Sequence, residues 1–284
     1  MYAPPTNKYN PRGGTHPRKG GNLMSQGPEP VQLTPQTTGA FQAYIREAEA
    51  KMTPGLDGSE PFLWSDVSAE RAQQVRKGQI VAQLWVGKEP LPVPDGLIHD
   101  WVAAAWIPGT TVEQTVALVQ DYDNHKNIFK PEVIDSKLLS HQGNDFKLYL
   151  RLRKKKIMTV VLDTEHDVHY TPLSRMRWFC RSYTTSISEV EAAGKSNEKR
   201  LPPDTGYGFL WRLDSYWRFE ERDGGVYVEC RAISLTRDVP KGLGWIIEPI
   251  VRRLPGQSLI DTLKATRQAL TRTLSGSQTM ATGK

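Results

Sequence analysis

Residues 209–237 read FLWRLDSYWRFEERDGGVYVECRAISLTR, and this stretch decides the fold class. Two runs of alternating apolar and polar residues flank Asp223-Gly224-Gly225. Such alternation is typical of a β-strand with one buried face, and Asp-Gly favours a tight hairpin turn. The stretch therefore predicts an antiparallel hairpin whose apolar face needs a cover.

Further strand patterns precede this hairpin. The candidate strands are 97–107, 132–141, 145–156, 157–170 and 175–190. Gly143-Asn144 and Pro172-Leu173-Ser174 supply turn residues between them. The polar stretch 192–207 is expected to form a long mobile loop. Together these segments predict an antiparallel meander.

Helical patterns lie on both sides of the meander. Residues 37–52, 66–77 and 110–128 show helical spacing, and a capping box starts the last of them, through Thr110 and Glu113 or Thr111 and Gln114. A long amphipathic segment follows from 242 to 274, with Pro255-Gly256 expected to kink it. This final helix is the candidate cover for the sheet.

Composition indicates a globular chain with an unusual beginning. The chain has 284 residues, 38% hydrophobic and 24% charged, which is ordinary for a globular protein and leaves room for a large core or a cavity. Residues 1–36 hold four basic residues and one acidic residue, so +3 of the net charge of +6 comes from this segment. The remaining +3 of the net charge is spread over the other 248 residues. Nucleic acid is therefore not an expected partner.

The predicted organisation has four parts. Residues 1–36 are expected to be a disordered basic tail, 37–96 an N-terminal helical extension packed on the domain, 97–274 the main domain, and 275–284 a disordered tail. No apolar run is long enough for a transmembrane helix and no secretory signal is visible, so a cytoplasmic location is expected, with Met24 as an alternative start.

The two cysteines give no sign of a metal site. Cys180 and Cys230 lie in strand-like runs without a C-x-x-C spacing, so we expect buried thiols. A disulfide would require their strands to be neighbours. The sequence also has no Walker loop, dinucleotide fingerprint, G-x-S-x-G or H-E-x-x-H motif, and no cofactor is predicted.

The order of these elements resembles the START-like superfamily, also called SRPBCC. Residues 127–139, NIFKPEVIDSKLL, are similar to its aromatic-x-Pro-x-Val-x-x-Ser pattern, matched here by Phe129, Pro131, Val133 and Ser136. Residues 220–236 resemble its last hairpin, and residues 239–270 resemble its closing helix. The resemblance covers about residues 97–274.

This superfamily includes polyketide cyclase/dehydrase-like and coenzyme Q-binding domains, and residues 208–221 and 235–245 look closer to uncharacterised bacterial members. The resemblance implies an α+β helix-grip fold, in which a curved antiparallel sheet wraps on a long C-terminal helix and leaves a cavity for a hydrophobic ligand. Residues 37–96 have no counterpart in the minimal fold, so they are expected to cap one end of the cavity or to guard the sheet edge.

Candidate ligand-binding residues come from the strands and from the final helix. Aromatic and aliphatic side chains would form an apolar wall, and charged residues inside strands would need a buried partner or a polar ligand group, an Arg with Glu229 being the natural pair. The predicted set is Trp178, Trp211, Leu213, Trp217, Phe219, Arg181, Glu229, Arg231, Trp245 and Ile250.

Three polar clusters have ordinary structural interpretations beside functional ones. Glu165, Asp167 and His169 share one strand face with His166 on the other, which suits a solvent-facing strand or a carboxylate–imidazole pair. Residues 121–126 crowd a helix end without a calcium-loop pattern. Basic residues from Lys147 to Lys156 form either a solvated sheet face or a patch for anionic lipid head groups.

Three functions remain open at this point. The first is non-catalytic binding or transfer of a hydrophobic small molecule or lipid, with weak contact to an anionic membrane surface as an additional partner. The second is a cyclase- or hydratase-type enzyme that uses His166, His169, Asp167 or Glu229. The third is an interaction module that uses its basic sheet face. A titratable side chain that points into a cavity would favour the second function, the enzyme.

Overall fold

The computed structural model describes residues 30–87, 90–155, 159–238 and 244–281, with side chains in the last segment described from Arg253 to Thr273. The helices are α1 Pro35–Ala50, α2 Thr53–Asp57, α3 Ala69–Arg76, α4 Val112–Gln120, α5 His125–Ile128 and α6 Gly244–Ala281. Short 3₁₀ helices lie at Trp64–Val67 and Tyr122–Asn124. The strands are β1 Val31–Gln32, β2 Val81–Leu84, β3 Leu91–Val93, β4 Gly96–Pro108, β5 Val133–Gln142, β6 Asp145–Lys155, β7 Thr159–Pro172, β8 Arg177–Glu191, β9 Lys199–Arg200, β10 Thr205–Gly206, β11 Arg212–Arg222 and β12 Gly225–Arg237.

Ten of these strands form one antiparallel sheet. Its order is β2-β4-β12-β11-β8-β7-β6-β5, with β3 also paired to β4 and β9 to β8. Side chains of β4 and β6, which lie far apart in this order, enter one cluster with α6. The sheet therefore curves around the helix, and the predicted α+β helix-grip fold is confirmed.

The hairpin that decides the fold class forms as predicted. Strands β11 and β12 pair in continuous register from Arg212–Leu235 to Arg222–Gly225. Asp223 and Gly224 both have positive φ, at 55° and 72°. Two positive φ values in a two-residue turn match the right-handed twist of the flanking strands, which explains the Asp-Gly choice.

Helix starts differ in how well the sequence predicts them. Thr111 caps α4, with its side chain accepting from the Gln114 N–H while the Gln114 side chain accepts from the Thr111 N–H, so the second of the two proposed boxes is the one formed. Helix α3 begins later than expected, because Ser68 is its N-cap and residues 64–67 form a 3₁₀ helix. Asp66, the first residue of the expected helix 66–77, lies inside that 3₁₀ helix.

Helix α6 covers the inner face of the sheet, which we define as the face turned toward this helix. Leu259, Leu263 and Leu270 of α6 join a buried cluster with residues of β4, β6, β7, β8, β11 and β12. Pro255 lies within the helix, and Gly256 meets the Trp101 ring so closely that a Cβ would clash with it. The backbone of α6 continues to Ala281, into the segment predicted to be a tail.

The N-terminal residues cover the opposite, outer face of the sheet. Phe41, Ile45 and Ala48 of α1 pack on Ile98 and Ile233. Residues around the first 3₁₀ helix, Phe62, Leu63 and Trp64, pack with Val75 of α3 against Val102, Ala104 and Tyr227. Only β2 and β3 of residues 37–96 extend the sheet edge, so most of this segment packs on a face of the sheet.

Helices long and apolar enough to cross a membrane are absent from the described residues. Of the predicted tail at 1–36, residues 1–29 lie outside the described residues, whereas Val31–Gln32 form β1 and α1 begins at Pro35, so the end of this segment is ordered.

Candidate functional site

The middle of the inner face carries a lane of small residues. Ala232, Ser215 and Ser182 sit side by side across β12, β11 and β8, and all three are partly exposed. Their sequence neighbours on the outer face, such as Arg231 and Tyr216, are buried. On β11 and β12, these inner positions are therefore more exposed than the outer positions beside them.

Aromatic side chains surround this small-residue lane. Trp101 lies opposite Ala232 in the register of β4 and β12. Trp217 stacks on Phe219 with ring centroids 6.1 Å apart, and Trp178 is partly buried against the same cluster. These aromatic rings flank the small residues on the same face of the sheet.

Two histidines face the inner side. His99 Nε2 lies 2.9 Å from Thr236 Oγ1, and His166 Nε2 lies 2.9 Å from Thr164 Oγ1. Burial away from water disfavours the charged imidazole and lowers the pKa of both histidines to about 4. Both are therefore neutral at physiological pH.

Most of the predicted aromatic and aliphatic wall lies on this inner face. Alternation along β8 and β11 places Trp178, Leu213, Trp217 and Phe219 there. Trp211 precedes β11 and packs instead with the α1 cluster of the outer face. Trp245 and Ile250 belong to the part of α6 whose side chains lie outside the described residues.

The predicted charged residues lie on the outer face instead. Arg181 is exposed, while Arg231 and Glu229 are buried beneath the N-terminal residues. Arg231 pairs with Asp100, Nε to Oδ1 at 2.9 Å and Nη2 to Oδ2 at 2.5 Å. The ion pair between an Arg and Glu229 that the sequence suggested on the inner face is therefore not formed.

Glu229 has a structural partner in the N-terminal segment. Its two carboxylate oxygens accept hydrogen bonds from the backbone N–H groups of Trp64 and Ser65, both at 2.7 Å. Burial raises the pKa of Glu229, and these N–H groups act against that rise. The carboxylate thus anchors the first 3₁₀ helix to β12.

Sequence reasoning missed the partners that complete this outer layer. Tyr44 donates to Asp100 at 2.8 Å, and Glu49 accepts from Tyr216 at 3.0 Å and from Tyr183. The signal that points to such a layer is the pair His99-Asp100 inside an otherwise apolar strand. A charged residue there requires a buried partner.

The outer surface has a groove beside α2. It encloses about 420 Å³ and lies between α2 and the β7–β8 turn. Arg177 on its wall is bound to Glu220, and Met176 and Leu173 form an exposed rim. A second gap beside Arg218, Glu229 and Arg231 has a volume of about 10 Å³, enough for roughly one water molecule.

The polar clusters singled out in the sequence are engaged in local pairs. His169 Nδ1 lies 2.7 Å from Asp145, and Lys147 pairs with Asp167 at 3.1 Å. Arg151 binds Asp163 through two hydrogen bonds. Acidic side chains of β7 therefore neutralise much of the basic face of β6, and Lys156 lies outside the described residues.

Metal and disulfide chemistry are not indicated by the part of the chain that the structure describes. No group of three His, Cys, Asp or Glu side chains there is placed to hold a metal ion. Cys180 of β8 and Cys230 of β12 are both free and buried. Each lies beside Trp217 of β11, the strand between them. Because β11 separates their strands, the condition set for a disulfide is not met.

Comparison with known proteins concerns the fold. The sequence matches no protein-family model and no curated protein. The STAR-related lipid transfer protein from Xanthomonas axonopodis is similar in structure, at 15% identity and a TM-score of 0.44, over 65% of this chain and 98% of that one. The Zhui aromatase/cyclase from Streptomyces is similar at 9% identity and a TM-score of 0.43, over 62% and 96%.

A START superfamily protein from Mycobacterium smegmatis is similar at 11% identity and a TM-score of 0.39, over 62% of this chain and 97% of that one. The START-like resemblance of the sequence is thus confirmed for the fold, by the strand order and the closing helix described above. At these sequence identities and TM-scores, the structural similarity does not identify a ligand or an activity for this chain.

Proposed function

We propose that this chain binds or transfers a hydrophobic small molecule or lipid, held in an internal cavity between the inner face and α6, without changing it chemically. The observation that carries the proposal is the partly exposed lane of Ser182, Ser215 and Ala232 beneath a covering helix. Apolar side chains around an enclosed space bind apolar molecules by removing their surface from water.

The walls of this site are suited to binding more than to catalysis. Trp178, Trp217 and Phe219 offer large apolar surfaces and no acid or base. In the described part of the inner face, the nearest charged side chains lie at the strand ends and are engaged: Glu189 accepts from Tyr207 and Phe209, and Lys154 binds Ser258. An apolar ligand therefore meets mostly neutral groups.

Native mass spectrometry of the protein purified from its own host, followed by extraction of whatever co-purifies, tests the proposal. We expect a stoichiometric apolar adduct that is lost on denaturation. Ser215→Trp fills the lane and should abolish the adduct, whereas Thr185→Trp, at an exposed position of β8, should keep it. A bare mass, with no thermal shift across a panel of lipids, isoprenoids and aromatic compounds, would refute the proposal.

A cyclase- or hydratase-type enzyme is the second candidate, because two histidines face the inner side. Of the residues suggested for catalysis, only His166 does so, while His169, Asp167 and Glu229 lie on the outer face. Without a carboxylate partner in the described residues, His166 would be a weak base. Recovery of a chemically altered ligand after incubation, lost in His166→Asn, would favour the enzyme.

A further inference from the structure

Two buried polar atoms on the inner face have no hydrogen-bond partner. These are Trp101 Nε1 and His99 Nδ1. Both residues belong to β4 and are two positions apart, so their side chains lie on the same face, with about 7 Å between their Cα atoms. A buried donor without an acceptor costs about 1–3 kcal/mol, so such atoms are rare unless a ligand or water satisfies them.

The position of Trp101 is set by its packing. Its ring meets Gly256 of α6, and its register partner is Ala232 at the edge of the small-residue lane. His99 is 0% exposed, and its Nε2 already faces Thr236. Either tautomer of His99 leaves Nδ1 without a partner. Trp101 thus adjoins the small-residue lane, and His99 lies two residues away from it on β4, opposite Ser234.

The surroundings of these atoms are polar but uncharged. Ser234 lies opposite His99 and Ala232 lies opposite Trp101, and burial keeps His99 neutral. Along the described length of this face, Lys, Arg, Asp and Glu are confined to the strand ends. An ionised ligand group placed here would lose its hydration without gaining a counter-ion.

We infer that the cavity selects an uncharged ligand with a hydroxyl or carbonyl oxygen, which accepts a hydrogen bond from Trp101 Nε1 with His99 Nδ1 beside it. This inference rests on the proposed function and deepens it by naming the ligand class. Trp101 supplies one donor, and the neutral His99 can donate or accept, so a hydroxyl can use both. A carboxylate or phosphate would find no counter-ion among the described residues of this face.

Two matched sets of probes test the inference in the wild-type protein. One set is a long-chain alkane, the primary alcohol and the fatty acid of the same length; the other is naphthalene, naphthol and naphthoate. At about pH 8, where both acids are ionised, we expect the alcohol or naphthol to bind about tenfold more tightly than its hydrocarbon, as one hydrogen bond provides. The acids should bind at least about tenfold more weakly than the alcohols.

Trp106 provides a matched control variant. It lies on the same strand, faces the opposite side and also has a buried Nε1 without a partner. Trp101→Phe should lower the ratio of alcohol to hydrocarbon affinity toward one, since only His99 Nδ1 then remains for the hydroxyl, whereas Trp106→Phe should leave it at about tenfold. Circular dichroism checks the fold of each variant, and the wild-type comparison decides the inference even where a variant fails to fold.

The outcomes separate the two proposals. Binding of hydrocarbons with no preference for the alcohol, or tighter binding of the acids, would overturn the inference and leave the proposed function standing. An unchanged preference in a folded Trp101→Phe protein would overturn the assignment to this donor. Absence of binding for every probe in both sets would count against both proposals.

Discussion

Arg231 binds Asp100 through two hydrogen bonds in a layer where each side chain is 6% exposed. The pair lies on adjacent strands, and Tyr44 of α1 donates to the same carboxylate. It thereby joins the sheet to the N-terminal segment. Residues 37–96 are consequently part of the folded core, and most of them pack on the outer face.

Asp100→Asn tests this pair. Removing one partner leaves the buried Arg231 charge uncompensated, so we expect a loss of about 3–5 kcal/mol in the free energy of unfolding. Asp167→Asn breaks the exposed pair with Lys147 and should cost less than about 1 kcal/mol. Urea unfolding measures both, and similar costs for the two variants would contradict the prediction.

Glu229→Gln should loosen the first 3₁₀ helix. The amide keeps a single acceptor oxygen and turns its NH₂ toward a backbone N–H, so one of the two bonds to Trp64 and Ser65 is lost. We expect a cost of about 1–3 kcal/mol and faster hydrogen exchange at residues 64–67. Glu70→Gln, exposed in α3, serves as the control. Unchanged exchange at 64–67 would rule out the anchoring role.

Asp214 should make the protein less stable as the pH rises. Burial raises the pKa of Asp214 to about 7, with Glu49 adding to the rise. Between about pH 4 and pH 7 the folded chain therefore holds a proton that the unfolded chain has lost, so this group's contribution falls as pH rises. Asp214→Asn should raise the urea midpoint above about pH 7 and leave it little changed near pH 4. Equal effects at both pH values would contradict this.

The inner histidines have the opposite effect. His99 and His166 have pKa values lowered to about 4 by burial, so the unfolded chain binds more protons between about pH 6.5 and pH 4. Their contribution is present above this range and is lost as pH falls through it. His166→Asn should flatten the decline in stability over this range, whereas exposed His141→Asn should not. Urea midpoints across the range provide the measurement.

Two glycines in helices should respond in opposite ways to alanine. Gly39 in α1 has open space where a Cβ would lie, so Gly39→Ala should stabilise the protein by about 1 kcal/mol. Gly256→Ala would drive a Cβ into the Trp101 ring, so we expect a loss of about 1–3 kcal/mol. Thermal unfolding compares them. A stabilising Gly256→Ala would show that Trp101 can move aside.

The architecture was largely predictable because it rests on local patterns. Alternation over 209–237 and the Asp223-Gly224 turn predict a hairpin that forms in the expected register. The capping pair Thr111 and Gln114 marks the start of α4. The periodicity of apolar residues and the residue types of turns are set within a few positions. They can therefore be recognised without knowing which distant residues they contact.

The candidate site was only partly predictable, since it depends on which face each side chain takes. Trp217 and Phe219 lie where alternation puts them, but Trp211 precedes the first residue of β11. Its N–H donates to Leu235 O at 2.7 Å, and its ring packs on the outer face. Alternation holds only within the strand, so it does not extend to a residue beyond the strand's end.

By itself, then, the sequence determined the strands, the main turns, the closing helix and hence the α+β class. The tertiary structure alone decided that Glu229 and Arg231 hold the N-terminal segment and that Ser182, Ser215 and Ala232 lie on the face turned toward α6. The contact between Glu229 and Trp64 joins residues 165 positions apart. Packing of this kind follows from how whole elements cover one another, which no local spacing records.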